Sequence, residues 1–177
     1  MTVSAKRPPG GISAEVPDWS REERTIFWDP SRALIASIRS YQRHAARSGP
    51  VAALGRGLAK YRHRFWSVVT GADIPVVTRI AGGLLMPHPS GIVIHPEVEI
   101  GPNCLIMQRV TLGMTGRPGA PKIGGHVDIS TGASILGPVT VGDHAIIGAH
   151  ALVTKDVPAG AVMLAPLAQI RTESRTE

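Results

Sequence analysis

Aliphatic side chains recur every six residues through the second half of the chain: Ile94, Ile100, Ile106 and Leu112, then Ile123, Ile129, Ile135, Val141, Ile147 and Val153. Four residues after nearly every one comes a small or β-branched partner: Val98, Cys104 and Val110, then Val127, Ala133, Val139, Ala145, Ala151 and Val157. A period of six fits neither the 3.6 of an amphipathic helix nor the strict alternation of a hairpin sheet. It fits a triangular solenoid in which each hexad supplies one short strand and one corner. Three hexads complete a coil, and coils stack about 4.8 Å apart through ladder hydrogen bonds. Both aliphatic sets then point inward and fill a narrow column, which agrees with a chain of 177 residues that is only 4% aromatic. The position three after an aliphatic is often a residue that tolerates a left-handed backbone: Asn103, His126, Gly132, His144, His150 and Asp156. These are expected at corners, so a structural role is the first reading of the three histidines among them. Cys104 takes an inward small-residue position and reads as a compact hydrophobe.

The first 72 residues follow other rules. Residues 1–28, with Arg7-Pro8-Pro9-Gly10-Gly11, Pro17 and mixed charges, bury little and read as an arm, with Trp19, Phe27 and Trp28 as anchors. Asp29-Pro30 is a helix start, since Asp accepts from orphan amides and Pro suits the first helical position. Leu34, Ile38 and Tyr41 continue at helical spacing. After Ser48-Gly49-Pro50, a second stripe runs through Val51, Leu54, Leu58, Tyr61, Phe65 and Val69 to a stop at Gly71. The expectation is a helical hairpin over 29–72, its stripes packed inward and its opposite face carrying Arg39, Arg43, Arg56, Lys60 and Arg64. His44 and His63 are expected in surface or packing roles. The solenoid then occupies 73–164, and 165–177 form a tail.

Charge is uneven in the same way. Residues 1–72 hold 12 Lys/Arg against 5 Asp/Glu and residues 73–177 hold 7 against 8, so the net +6 comes entirely from the N-terminal part. That suits a solvated helical face, or docking of the hairpin to an acidic partner or a membrane surface. The Gly-rich segment 116–125 lacks the Gly-Lys-Ser/Thr of a phosphate loop, and no nucleic-acid partner is expected. One cysteine excludes an intramolecular disulfide, and the first thirty residues are too charged for a secretory signal, so a cytoplasmic location is expected.

A regular solenoid carries function where regularity fails. The interval from Met86 to Ile94 is eight, across Pro87-His88-Pro89-Ser90-Gly91. The interval from Leu112 to Ile123 is eleven, an extra loop over residues 113–122. His88 lies between two prolines and off the corner pattern, so it is held rigidly. A fixed imidazole that titrates near neutrality can take a proton from an attacking hydroxyl and return it to a leaving thiolate. A lone histidine is more often structural, and His95, at a corner before Pro96, is a weaker candidate.

These residues resemble the hexapeptide-repeat acyltransferases, and specifically the serine acetyltransferase family. The likeness covers roughly 70–160. It rests on Gly71-Ala72-Asp73-Ile74, on His88-Pro89-Ser90-Gly91-Ile92-Val93, on Val110-Thr111-Leu112-Gly113 with the loop ending Pro121-Lys122-Ile123, and on Ile135-Leu136-Gly137. The resemblance implies a mainly β protein: a left-handed parallel β-helix, against the usual right-handed preference of parallel crossovers, preceded by an α-helical hairpin. It also implies a homotrimer, or a dimer of such trimers, with acetyl-CoA bound beside the extra loop between neighbouring subunits. It places the catalytic base on His88, with direct attack of the acceptor on the thioester and backbone amides stabilising the oxyanion. Residues 147–156 are similar to the CoA-binding region of related sugar acetyltransferases. That implies CoA contacts at Ala149, Thr154 and Lys155, with Thr131 one coil earlier, and no metal.

The departures bear on the acceptor. Serine acetyltransferases carry Asp directly before the catalytic His, where this chain has Pro87, and Arg-His before Pro-Lys, where it has Gly119-Ala120. An Ala cannot replace a guanidinium that binds an amino acid's carboxylate. The Pro-His pair and the Gly-Arg-Pro-Gly loop look like relatives associated with exopolysaccharide biosynthesis. Near the C-terminus, Ala165-Pro166-Leu167-Ala168-Gln169 stands where the family has Gly-Val-Pro-Ala-Arg, removing a cation near CoA. The first expectation is therefore an O-acetyltransferase acting on a sugar or polysaccharide hydroxyl, with serine as the alternative acceptor and a non-catalytic β-helix scaffold as the second class. A zinc hydratase on the same coil would need a histidine pair five apart, and no two histidines have that spacing.

Overall fold

The computed structural model describes residues 11–169. Residues 1–10 of the expected arm and 170–177 of the expected tail lie outside the described residues. Among the described residues two α-helices, α1 (Pro30–Ala45) and α2 (Pro50–Thr70), precede twelve short strands. The Asp29 carboxylate accepts from the Arg32 amide at 3.0 Å and Pro30 takes the first turn of α1, as this pair of residue types dictates. Gly71 closes α2 in the left-handed conformation (φ 66°), where a Cβ would be strained.

The strands are β1 (Arg79–Ile80), β2 (Val93–Ile94), β3 (Glu99–Ile100), β4 (Leu105–Ile106), β5 (Thr111–Gly113), β6 (Lys122–Ile123), β7 (Asp128–Ile129), β8 (Ser134–Leu136), β9 (Thr140–Val141), β10 (Ile146–Ile147), β11 (Leu152–Val153) and β12 (Val162–Met163). They form three parallel sheets, β1-β3-β6-β9, β4-β7-β10-β12 and β2-β5-β8-β11, the three faces of a left-handed parallel β-helix. Register brings the sixfold aliphatics into columns: Ile80, Ile100, Ile123 and Val141 on one face, Ile106, Ile129 and Ile147 on the second, and Ile94, Leu112, Ile135 and Val153 on the third. All of these are buried, as are Val98, Cys104, Val110, Val127, Ala133, Val139, Ala145, Ala151 and Val157. Both inward sets read from the sequence therefore build one core.

Among the described residues, five that are not glycine adopt positive φ: Asn103, Arg109, His126, His144 and His150. Arg109 holds a corner that the sequence reading passed over. Asp156, expected there, does not; its carboxylate instead accepts the Thr140 amide at 2.7 Å, capping the coil edge through its side chain.

The hairpin departs from expectation in two ways. Arg39 does not lie on a solvated face: it pairs with Glu22 at 2.7 Å and donates to the Ala81 carbonyl at 2.6 Å, tying α1 to the coil. The stripe Val51, Leu54, Leu58, Tyr61, Phe65 and Val69 of α2 is exposed, and the helix buries Ala52, Ala59, His63 and Thr70 instead. Small side chains let α2 approach α1 closely, which turns the large ones outward. Of the expected anchors, Trp19 stacks under the Arg39 guanidinium at 5.3 Å and Trp28 meets Trp66 edge-on at 5.7 Å, whereas Phe27 is 96% exposed. The described part of the arm is held mainly by Asn103, whose side chain bonds to Ser13, Val16 and Asp18.

Candidate active site

The coil spacing explains how His88 is presented. Coil partners lie 18 residues apart at Ile129 and Ile147 but 20 apart at Ile80 and Ile100. The two extra residues fall in the eight-residue interval after Met86. Met86 and Ile92 are both buried, so the chain between them bulges outward and leaves Pro87, His88 and Ser90 exposed. The bulge is pinned: the Gly91 amide donates to the Gly71 carbonyl at 2.8 Å, the Ile92 amide to Pro89 at 3.1 Å and the Arg109 amide to Ser90 at 3.0 Å. The Ser31 hydroxyl donates to the Met86 carbonyl, joining α1 to the same segment. With a proline on each side, the backbone at His88 has little freedom.

His88 lines a groove of about 520 Å³ between the hairpin and the coil, with Thr25, Ile26, Trp28, Val69 and Ser90 around it. Asp29 also lines this groove, but its carboxylate is committed to Arg32 at 2.9 Å and to the α1 cap. Asp73, exposed and bridged to Val93, is another carboxylate on this coil.

The extra loop builds a second concavity. Residues 113–122 leave the β5 corner and return to β6, widening the coil spacing to 23 between Leu112 and Ile135. Gly137, at φ 91°, donates its amide to the Gly113 carbonyl at 2.9 Å, and a groove of about 460 Å³ opens between the loop and the coil. Its lining includes Thr115, Arg117, Leu136, Thr154 and Lys155. Two cations at one apolar groove suit a phosphate-bearing ligand. Arg117 was not among the expected contacts, although its place in the loop that breaks the lattice was the available signal.

The four expected CoA contacts are divided. Thr154 and Lys155 belong to the loop groove. Thr131 and the exposed Ala149 lie on the corner below His88, where Ser90, Arg109, Gly132, Thr131 and His150 are stacked by amide hydrogen bonds from coil to coil. The Thr131 hydroxyl donates to the Gln108 carbonyl at 3.2 Å along that stack. Within one subunit the two pairs therefore stand on different edges of the prism.

Four other histidines and the cysteine are engaged away from both grooves. Nδ1 of His126 and Nδ1 of His144 meet at 2.9 Å, one coil above the other. His95 accepts the Glu97 amide at 3.2 Å. His63 is buried, its Nε2–H donating to the Ile74 carbonyl at 2.8 Å, and burial lowers its pKa below 6.5. Burial pushes the Cys104 thiol up to about 11, which leaves it protonated and non-nucleophilic at neutral pH. Among the described residues no three His, Cys, Asp or Glu side chains converge as a metal site, and no helix is long and apolar enough to cross a membrane.

No family model matches the chain. The chain is 36% identical over 123 residues to a serine acetyltransferase of Mycobacterium tuberculosis, covering 68% of this chain and 54% of that protein. It is 37% identical over 110 residues to the Helicobacter pylori serine acetyltransferase, covering 60% and 64%. Among solved structures, serine acetyltransferase isoform 3 of Entamoeba histolytica in complex with cysteine aligns at TM-score 0.67 and 26% identity over 83% of this chain and 52% of that one. The Neisseria gonorrhoeae serine acetyltransferase in complex with serine aligns at 0.66 and 30% over 81% and 57%. A serine acetyltransferase complex with CoA aligns at 0.64 and 32% over 77% and 55%. The chain spans roughly half to two thirds of the length of these relatives.

Proposed function

The chain belongs to the hexapeptide-repeat serine acetyltransferase family, and from that premise we propose that it is an acetyl-CoA-dependent O-acetyltransferase with His88 as general base. The observation that carries this reading is an exposed imidazole on a pinned backbone segment lining a groove, produced by the two-residue break in an otherwise regular coil. His88 removes the proton of the acceptor hydroxyl as its oxygen attacks the thioester carbonyl carbon. The resulting oxyanion is held by backbone amides, collapses to the acetyl ester and expels the CoA thiolate, which takes the proton back from the imidazolium. No acyl-enzyme forms. Thr154, Lys155 and Arg117 at the loop groove bind the CoA moiety, and Thr131 and Ala149 line its path along the His88 edge. A cytoplasmic homotrimer, in which the loop groove of one subunit faces the His88 edge of the next, completes the proposal.

The acceptor in this reading is serine. Its support is that the aligned relatives are serine acetyltransferases, one of them in complex with serine, and it displaces the sugar hydroxyl expected first from the sequence. The sugar reading keeps one specific observation: Pro87 and Gly119-Ala120 stand where the family carries Asp and Arg-His, the groups that hold a free amino acid. The test is thiol release from acetyl-CoA with serine, sugars and nucleotide sugars as separate acceptors. Turnover with serine alone supports the first reading, turnover with a sugar alone establishes the second, and no thiol release with any acceptor contradicts both and favours a non-catalytic scaffold.

A further inference from the structure

The outward stripe of α2 is continuous over the length of the helix. Val51, Leu54, Leu58, Tyr61, Phe65 and Val68 follow one another at steps of three and four, and each is between 51% and 80% exposed. At roughly 100–200 Å² apiece, these side chains expose more than the few hundred Å² of a typical monomer's largest apolar patch. The patch continues beyond the helix. Phe65 packs on Trp66 at 5.0 Å, Trp66 on Trp28 at 5.7 Å, and Trp28 and Ile26 share a groove wall with Val69.

Within the two helices the charge has one sign; Glu23 and Asp29 flank the 26–28 segment, and the Asp29 carboxylate is paired with Arg32. From residue 30 to residue 72 there is no Asp or Glu, against eight Lys or Arg. On α2 the helical turn places Arg62 and Arg64 on either side of the stripe, with Arg56 and Lys60 further round. A second copy of α2 laid on this seam would set guanidinium against guanidinium, with no carboxylate on either helix to relieve the repulsion.

We infer that this face of the hairpin docks peripherally on an anionic phospholipid bilayer, the Tyr61–Phe65 end inserting its rings while Arg62 and Arg64 meet the phosphates. A helix with an apolar arc, basic flanks and aromatic side chains has the composition of an interfacial helix. The apolar groups come from two segments, α2 and residues 26–28, which a plane covers together and a single partner helix does not. Because the patch ends at the groove that holds His88, a docked bilayer lies beside that groove. The inference does not depend on the acetyl-transfer reading, since binding is measured without acetyl-CoA.

The test is flotation of the full chain with vesicles of phosphatidylglycerol or of phosphatidylcholine. The expected result is recovery with phosphatidylglycerol at least about tenfold above that with phosphatidylcholine, lost in about 0.5 M salt. The double variant Leu58→Glu/Phe65→Glu should lose vesicle recovery by about tenfold while its helical content stays that of the parent, because both side chains are more than half exposed. Arg62→Glu/Arg64→Glu should lose the preference for phosphatidylglycerol. Failure of the parent chain to float with phosphatidylglycerol, or equal recovery of the Leu58/Phe65 variant, overturns the inference. So does a fall in native mass of that variant without lipid, which would assign the stripe to a second copy of the chain.

Discussion

His88 lies just before the first strand of the β2-β5-β8-β11 sheet and Lys155 just after its last, so the two side chains stand at opposite edges of one face of the prism. Under the proposed function His88 is the general base and Lys155 a CoA-binding cation, and two residues separated by the width of a sheet do not make one site within one chain. They do when the Lys155 edge of one copy abuts the His88 edge of the next, as a threefold arrangement repeats around its axis. Two inactive variants, His88→Ala and Lys155→Glu, mixed by co-expression should then recover up to about a quarter of parental activity, the fraction of sites with both residues intact. Separately purified variants give the baseline, and a mixture no more active than that baseline places both residues in the same subunit's site.

Asn103 fixes the N-terminal arm to the coil. Its side-chain amide donates to the Ser13 and Val16 carbonyls, both at 2.8 Å, and its carbonyl accepts the Asp18 amide at 2.8 Å, all from a fully buried position at φ 60°. Arg21 adds bonds to the Gly83 and Asn103 carbonyls at 2.8 and 3.0 Å. Asn103→Ala should cost about 1–3 kcal/mol, read as a lower melting temperature, and should make the Ser13–Val16 stretch sensitive to limited proteolysis. Asn103→Gly, which accepts the left-handed backbone, should show the same proteolysis, separating loss of the arm contacts from strain at the corner.

His63 sets a pH limit on the hairpin. Burial lowers its pKa below 6.5, while the hydrogen bond to Ile74 opposes that shift. As pH falls below 6.5 the unfolded chain takes up this proton before the folded one does. The His63 contribution is therefore complete above that pH and declines below it. Melting temperatures measured from neutral to mildly acidic pH should fall less steeply for His63→Gln than for the parent. Parallel slopes would assign the acid sensitivity to other groups.

Much of this architecture is written in the spacing of residues. A six-residue period has one efficient burial solution, so the ten aliphatic positions and their partners from Val98 to Val157 all point inward, and the two broken intervals become the His88 bulge and the extra loop. Corners were legible where a residue's own backbone preference decides them, at Asn103, His126 and His144. At Asp156 the side chain caps a neighbouring coil without a left-handed backbone, and at Arg109 the coil imposes that conformation on a residue that does not favour it. The direction of the α2 stripe was not legible. Periodicity shows that a face is apolar without showing which face the neighbouring helix covers, and Ala52 and Ala59 won the contact by allowing closer approach. The division of Thr131 and Ala149 from Thr154 and Lys155 was hidden for a related reason: spacing along the chain fixes the coil, without showing which edge of the prism a residue occupies.

The central claim is that His88 moves the proton in acetyl transfer. Single-turnover acetyl transfer by His88→Ala, measured alongside CoA binding, tests it most directly. The account predicts a rate reduced by at least about a hundredfold with CoA affinity unchanged, because the imidazole acts on the acceptor hydroxyl and the loop groove holds the cofactor. Transfer at the parental rate by a variant that still binds CoA would contradict it.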